Sequence, residues 1–167
     1  LHQKIKKKDA NESAIRLLTD VGLRNVDKII DCYPHQLSGG MQQRAMIAMA
    51  ISCNPDLIIA DECTTALDVT TQLQILNLLK DISKKINTSI IVITHNLAVV
   101  AYLCTRTYVM YEGKTIEEAK TNDLFFDPKH DYTKKLLKSS RIIDEEKFYS
   151  TEGESEILKV ERIKKIF

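Results

Sequence analysis

An α/β fold around a parallel sheet is what this sequence predicts, and three observations carry it. Leu57-Ile-Ile-Ala60 and Ile90-Ile-Val-Ile-Thr94 are short apolar runs, the second rich in β-branched residues, of the kind that a parallel sheet buries on both faces. Between them Leu73, Leu76, Leu79 and Ile82 form one helical stripe, which Ile75, Leu78 and Ile86 widen. Strand, helix, strand is a βαβ unit, with parallel strands and a right-handed crossover. A length of 167 residues, 44% of them hydrophobic, suits one domain with ample material for a core.

Taken in order, Asp9-Ala-Asn-Glu12 reads as a capping box for a first helix, with Ile15, Leu18 and Val21 at helical spacing and Gly22 as its stop. Residues Asn25 to Cys32 read as a short second helix, ended by Pro34, because proline disfavours helix in the residue before it. Ser38 opens a third helix running from Met41 to Ser52. Gln42, Gln43 and Arg44 lie in its first turn, and Ala45 to Ile51 is apolar on every side, the mark of a buried helix that offers only its tip. Asp68 is placed to cap the crossover helix. Thr107 to Tyr111 and Lys114 to Glu118 flank Glu112-Gly113, a two-residue hairpin turn. Asn122 to Phe126 and Tyr132 to Lys138 read as short helices parted by Asp127-Pro128. Residues 141–155 are polar and read as a linker, and residues 156–167 partly alternate, as a strand does.

Composition narrows the classes of function. With 24 basic and 23 acidic residues the net charge is +1, which exerts no global pull on nucleic acid or anionic lipid. The basic cluster Lys4-Ile-Lys-Lys-Lys8 is local and reads as a solvated face. No apolar run approaches the roughly 18 residues that cross a bilayer, and no signal-peptide pattern is present, so a membrane role has to come through a partner. Cys32, Cys53, Cys63 and Cys104 lie 21, 10 and 41 residues apart. That spacing offers neither a zinc site nor a disulfide framework, and suits free thiols in a reducing cytosol. The four histidines have no metal-ligand spacing either.

The chemistry gathers in two segments. Ser38-Gly39-Gly40, within Leu37-Ser-Gly-Gly-Met-Gln-Gln-Arg44, leads straight into a helix, so free backbone N–H groups and the positive helix end suit a phosphate. Seventeen residues beyond Gly40, Leu57-Ile-Ile-Ala-Asp61-Glu62 ends an apolar strand in two adjacent carboxylates, which suit a divalent cation and a proton acceptor. Neighbouring side chains of a strand point to opposite faces, so the two carboxylates divide those tasks. Because Asp61-Glu62 and His95 both follow the carboxyl ends of parallel strands, they emerge on one edge of the sheet, where open α/β sheets bind ligands. Each residue also has a bland reading. Ser38 and the glycines can be a capped loop, Asp61-Glu62 a surface turn, His95 a satisfied polar residue, and Asp68 an N-cap, a role compatible with any other.

In this order and spacing the two segments resemble the signature and Walker B motifs of ATP-binding-cassette ATPases. Thr65-Ala-Leu-Asp68 is similar to that family's D-loop, Thr94-His95-Asn96 to its switch-histidine loop and Val109-Met-Tyr-Glu-Gly-Lys114 to the hairpin that follows. Asp127-Pro-Lys-His-Asp-Tyr-Thr133 resembles a tail of oligopeptide-type importers, and the likeness runs from about residue 9 to about residue 140. It implies a partial P-loop NTPase domain with a parallel-sheet core and part of the helical subdomain. Residues 1–54 are then the helical-subdomain part with the signature helix, and residues 55–140 the C-terminal half of the ATPase core with hairpin and tail helices. Residues 141–155 are a linker, and residues 156–167 are either the first strand of a second cassette or an ordinary terminal strand or amphipathic segment.

The resemblance also implies ATP and Mg²⁺ as cofactors. It assigns Asp61 to the Mg²⁺ shell through water, Glu62 to polarising the attacking water, and His95 to donating to the γ-phosphate. Ser38, Gly39, Gly40, Gln42 and Asp68 are implied in nucleotide binding, the Ser38–Gly40 tip reaching the γ-phosphate of ATP held by an opposite subunit. Implied partners are transmembrane permease subunits, a second ATP-binding cassette (as homodimer, heterodimer or fusion) and, indirectly, an extracellular solute-binding protein. Nucleic acid is not among them, and the place is the cytoplasmic face of the membrane. The function implied is ATP hydrolysis energising an importer of oligopeptides or dipeptides, with nickel or other small solutes as runner-up cargo. Two alternatives stand beside it: a non-catalytic truncated remnant, and a soluble relative acting on DNA or ribosomes.

No Gly-x-x-x-x-Gly-Lys-[Ser/Thr] pattern occurs in the chain. The resemblance therefore implies the C-terminal part of a nucleotide-binding domain, inactive by itself. Cys63 stands where the family usually has proline, which removes a fixed φ just after Glu62. Asn96 and Thr105 replace frequent aspartates, and Asp131 a frequent proline.

Overall fold

The computed structural model describes residues 7–65 and 67–140; the linker and terminal strand expected at 141–155 and 156–167 lie outside them. In chain order the elements are α1 (Lys7–Asp20), α2 (Val26–Ile29), a 3₁₀ turn (Pro34–Gln36), α3 (Gly39–Ile51), β1 (Leu57–Asp61), α4 (Val69–Lys85), β2 (Ser89–Ile93), α5 (Leu97–Leu103), β3 (Arg106–Tyr111), β4 (Lys114–Lys120), α6 (Thr121–Phe126) and α7 (Asp131–Ser139).

The βαβ unit forms as expected. β1 and β2 pair in parallel, Leu57 opposite Ser89 through Asp61 opposite Ile93, and α4 starts at an Asp68 cap. Its buried residues are Ile75, Leu76, Leu79 and Ile82, and Ile75, Leu79 and Ile82 pack with Ile58, Ile47 and Ile51, with Val21 and Leu23 just after α1 and with Val26 of α2. Leu73, expected on that stripe, is 46% exposed, because at 3.6 residues per turn the stripe that meets the core is centred on Ile75 and Leu79.

Two burial expectations are corrected. The strands are covered on one face only: Ile58 and Ala60 are buried while Leu57, Ile59, Ile91 and Ile93 are exposed, Ile59 by 64%. Alternation along a strand sends successive residues to opposite faces, and among the described residues only the face towards α4 is packed. Similarly α3 is not buried all round. Ile47, Ala48 and Ile51 face the core, whereas Met46 and Met49 are 56% and 67% exposed.

At the N-terminal side, α1 is already helical at Lys7, so Asp9 sits in its first turn and no capping box opens there; its charge still favours the helix end. Gly22 does end the helix. At φ 81 it lets the Leu23 N–H reach Leu18 O and its own N–H reach Thr19 O, a Schellman closure. The second helix is four residues long, shorter than expected, with Asn25 left-handed at φ 56 and only Val26 buried.

Beyond the βαβ unit, α5, an element that sequence reading passed over, packs against α4 and α6, and α6 packs against β3 and β4. Asn96 caps α5, its side chain accepting from the Ala98 N–H at 3.0 Å. The hairpin of β3 and β4 turns at Glu112 and Gly113, with φ of 49° and 74°, as a two-residue turn of primed type requires. The expected tail helices are present as α6 and α7, and Leu124, Leu137 and Thr133 are buried.

Candidate functional site

At the tip of α3, Ser38 is extended (φ −65°, ψ 158°) and its Oγ accepts from the Met41 N–H at 3.4 Å. This is an N-cap, and it leaves the N–H groups of Gly39 and Gly40 without an intrahelical acceptor. The two glycines differ in what surrounds them. A Cβ at Gly40 would lie 2.8 Å from Thr71 Cγ2, and one at Gly39 would lie 3.4 Å from Leu67 Cδ2. Gly40 is thus what lets α3 approach the start of α4.

Asp68 caps α4 with both oxygens, Oδ1 accepting from the Thr71 N–H at 2.9 Å and Oδ2 from the Thr71 hydroxyl at 2.6 Å. The Thr71 hydroxyl, then its N–H, hold the Asp68 carboxyl below its ordinary range. Ser38, Gly39, Gly40, Asp68 and Thr71 line one cleft of about 360 Å³, with Arg44 at its wall. The Arg44 guanidinium donates to Val21 O at 2.5 Å and to Gln74 Oε1 at 3.3 Å, joining α3 to the turn after α1 and to α4. Gln42 does not line the cleft. Its Nε2 donates to Pro34 O at 2.7 Å and Leu37 O at 3.1 Å, bracing the loop that leads into Ser38.

The second grouping lies at the carboxyl edge of the sheet. Asp61 ends β1 opposite Ile93 and is exposed. Glu62 follows in the left-handed region at φ 46, a conformation that costs a non-glycine residue about 1–3 kcal/mol. Its N–H donates to Ile93 O at 2.9 Å and its carbonyl accepts from the Thr65 N–H at 3.1 Å, which hold the turn. Its carboxylate is gripped at both oxygens. Oε2 accepts from the Thr65 hydroxyl at 2.6 Å, and Oε1 lies 2.8 Å from His95 Nδ1 and 3.3 Å from the His95 N–H.

The Thr65 hydroxyl first, then the His95 ring, keep the Glu62 carboxyl below its ordinary range. An ionised carboxylate only accepts, so Nδ1 carries a proton and Nε2 is the ring nitrogen left for a ligand. The His95 side chain is 83% exposed. Cys63, in the place of the family's usual proline, packs partly buried against the core, and burial raises its thiol pKa.

Among the described residues no cluster of three or more His, Cys, Asp or Glu is arranged to hold a metal. Asp61 alone suits the manner in which Mg²⁺ binds, with one or two carboxylates and the remaining positions filled by water and phosphate. The structure therefore joins Ser38, Gly39, Gly40 and Asp68 in one grouping and Asp61, Glu62 and His95 in another, with Gln42 bonded to the loop that precedes Ser38. Thr65, Thr71 and Arg44 are the residues that sequence reading missed as structural partners. A legible signal existed for the first two, a threonine three residues after a carboxylate.

Known proteins share this architecture. A family profile described as ABC transporter matches residues 2–65. The oligopeptide transport ATP-binding protein AppD of Bacillus subtilis (strain 168) is 54% identical over 145 residues, covering 87% of this chain and 44% of that protein. The dipeptide transport ATP-binding protein DppD of Haemophilus influenzae (strain ATCC 51907 / DSM 11121 / KW20 / Rd) is 53% identical over 138 residues, covering 83% of this chain and 42% of that protein. Among solved structures, the dimeric post-hydrolysis state of the ATP-binding cassette MJ0796 bound to ADP and Pi matches with a TM-score of 0.60 at 32% identity, covering 70% of this chain and 49% of that one. The chain belongs to the ATP-binding-cassette transporter family, as part of its ATP-binding domain. Its fold is a partial P-loop NTPase domain, as expected. It spans less than half the length of the curated relatives it matches.

Proposed function

We propose that this chain forms part of an ATP-hydrolysing subunit that energises a membrane importer of oligopeptides or dipeptides. The observation that carries the proposal is the Glu62 carboxylate, gripped by Thr65 and His95 at the carboxyl edge of the sheet beside Asp61. Bound Mg²⁺ and ATP supply the γ-phosphoryl group and neutralise its developing charge. Phosphoryl transfer then asks the protein chiefly for positioning and electrostatics. Asp61 offers an acceptor to the metal's water shell, Glu62 orients and deprotonates the attacking water, and His95 presents Nε2 to the γ-phosphate. With Nδ1–H given to Glu62, Nε2 donates only when the ring is protonated.

The Ser38–Gly40 tip and the Glu62 edge are separate groupings on one chain. That fits a composite site in which the tip of one cassette meets the nucleotide of another. The dimeric relative bound to ADP and Pi supports such pairing. The peptide assignment is supported by the relatives named for oligopeptide and dipeptide transport and by the Asp127–Thr133 tail. No helix among the described residues is long and apolar enough to cross a membrane. Permease subunits would provide the path, a solute-binding protein the cargo, and this subunit would sit on their cytoplasmic face.

The test is Glu62→Gln in the natural transporter complex reconstituted in vesicles. Turnover of ATP should drop about 10²–10⁴-fold while ATP binding persists. Near wild-type hydrolysis in that variant would overturn the assignment.

A further inference from the structure

Glu62 is a flexible side chain at a solvent-facing edge, in a strained backbone conformation, followed by Cys63 rather than by a residue of fixed φ. Something has to settle the plane of its carboxylate. His95 reaches one oxygen only. Both its ring Nδ1 and its backbone N–H converge on Oε1.

The other oxygen is taken by Thr65, whose hydroxyl lies 2.6 Å from Oε2. Thr65 itself is exposed, so its side chain does little for packing. Its backbone already closes the turn through the bond to Glu62 O. The hydroxyl bond is therefore additional to the turn.

A carboxylate has about four acceptor sites. Thr65, His95 Nδ1 and the His95 N–H occupy three of them. The site left over is on Oε2, and its direction is set by where the Thr65 hydroxyl sits on the same atom. We infer that Thr65 is a positioning residue for Glu62, its hydroxyl fixing the carboxylate plane so that the remaining lone pair of Oε2 meets the attacking water. The inference rests on the proposed ATPase role of Glu62. Thr65 touches neither nucleotide nor metal in this account. It acts through Glu62, by the hydroxyl contact to Oε2.

Two measurements on Thr65→Val and Thr65→Ser test it. In the 167-residue chain, the Glu62 side-chain carboxyl resonance is followed by NMR through the acid range. Val, nearly the same shape but without the hydroxyl, should move the Glu62 titration to higher pH, and Ser should leave it close to wild type. An unmoved titration in Val overturns the inference at the level of the contact, whatever the chain does.

In the reconstituted transporter, Val should lower kcat roughly 10-fold, as expected for one hydrogen bond to a charged group. KM for ATP should stay constant, the acid limb of the kcat profile should move to higher pH, and Ser should restore both. A kcat equal to wild type in Val, with Glu62→Gln inactive, overturns the positioning role while leaving the ATPase reading intact. Full activity in Glu62→Gln would bring down that reading and this inference together. A loss shared equally by Val and Ser, with no displacement of the acid limb, would mark a merely structural threonine and also overturn it.

Discussion

The two glycines at the tip of α3 are glycine for different reasons, and substitution separates them. A Cβ at Gly40 meets Thr71 Cγ2 at 2.8 Å, and Thr71 cannot turn aside without breaking its hydroxyl bond to Asp68. Gly40→Ala should therefore cost about 1–3 kcal/mol of stability, read from urea unfolding; an unchanged midpoint would contradict this packing account. Gly39 has ordinary space at its Cβ position, so Gly39→Asp should fold normally. Its carboxylate would instead stand against the partner's triphosphate, abolishing ATP-dependent association of the two cassettes while each keeps its own nucleotide affinity. Light scattering that shows intact association in a folded Gly39→Asp protein would defeat the composite site. Asp68 and Glu62 add a pH dependence. Both have folded pKa values lowered by hydrogen bonds, so their contribution is complete above the ordinary carboxylate range near 4 and is lost as pH falls through the lowered folded values. Stability should hold level from neutral pH to about 5 and decline below about 4. Asp68→Asn, which still caps through its amide oxygen, should flatten part of that decline. Parallel curves for the two proteins would show that Asp68 is not a source of it.

At the scale of elements, long polar side chains do the joining. Arg44 runs from α3 to the carbonyl of Val21 beyond α1 and to Gln74 on α4, so the helix carrying the Ser38–Gly40 tip is tied to both neighbours. Its Nη1 also occupies the space at Gly22, 2.9 Å from where a Cβ would be, which gives that glycine a second reason beyond its positive φ. Glu117 on β4 has the same function for the tail. Its Oε1 accepts from the Lys129 N–H at 2.7 Å and its Oε2 from the His130 N–H at 3.0 Å. His130 in turn caps α7, its Nδ1 accepting from the Tyr132 N–H. Desolvation pushes the Glu117 pKa upward, but those N–H groups, the nearby Thr133 hydroxyl and His130 outweigh it, and the net shift is downward. Thr133 contributes as a neighbouring dipole, since its buried Oγ1 makes no hydrogen bond of ordinary geometry. Glu117→Ala should speed amide exchange across Asp131–Ser139, corresponding to about 1–3 kcal/mol of local stability, with little change around β1 and α4. Uniform protection across both regions would refute the clamp.

For the whole molecule, the decisive feature is which groups are present on one chain. The 167 residues contain no Gly-x-x-x-x-Gly-Lys-[Ser/Thr] pattern, the loop whose N–H groups and lysine cradle nucleotide phosphates. What they present is a helix tip, a carboxylate edge and a histidine. The chain alone should accordingly bind ATP weakly and hydrolyse it negligibly. Micromolar affinity by calorimetry, together with turnover above that of Glu62→Gln, would sink this expectation. Ile59, Ile91 and Ile93 on the sheet and Met46 and Met49 on α3 are all at least 49% exposed, and burial of such side chains is worth about 1.5–3 kcal/mol each.

Local spacing by itself determined the elements whose cause is local. The Asp68 cap, the Gly22 stop, the Glu112-Gly113 turn and the crossover between two apolar runs each depend on a few adjacent residues, and each is legible without coordinates. The parallel pairing followed too, and with it the meeting of Glu62 and His95, 33 residues apart, because a crossover leaves both strand ends on one edge. What only the tertiary structure decided is what depends on distant neighbours. An apolar run says that a strand can be buried, not that a layer lies on each side, so the exposure of Ile59 and Met49 was beyond pattern reading. The bonds of Gln42 to the carbonyls of Pro34 and Leu37 likewise depend on where a loop folds back. Thr65 is an ordinary loop threonine until Glu62 turns left-handed and brings a carboxylate oxygen within 2.6 Å. Periodicity records which face a residue occupies; packing and hydrogen bonding decide what that face meets.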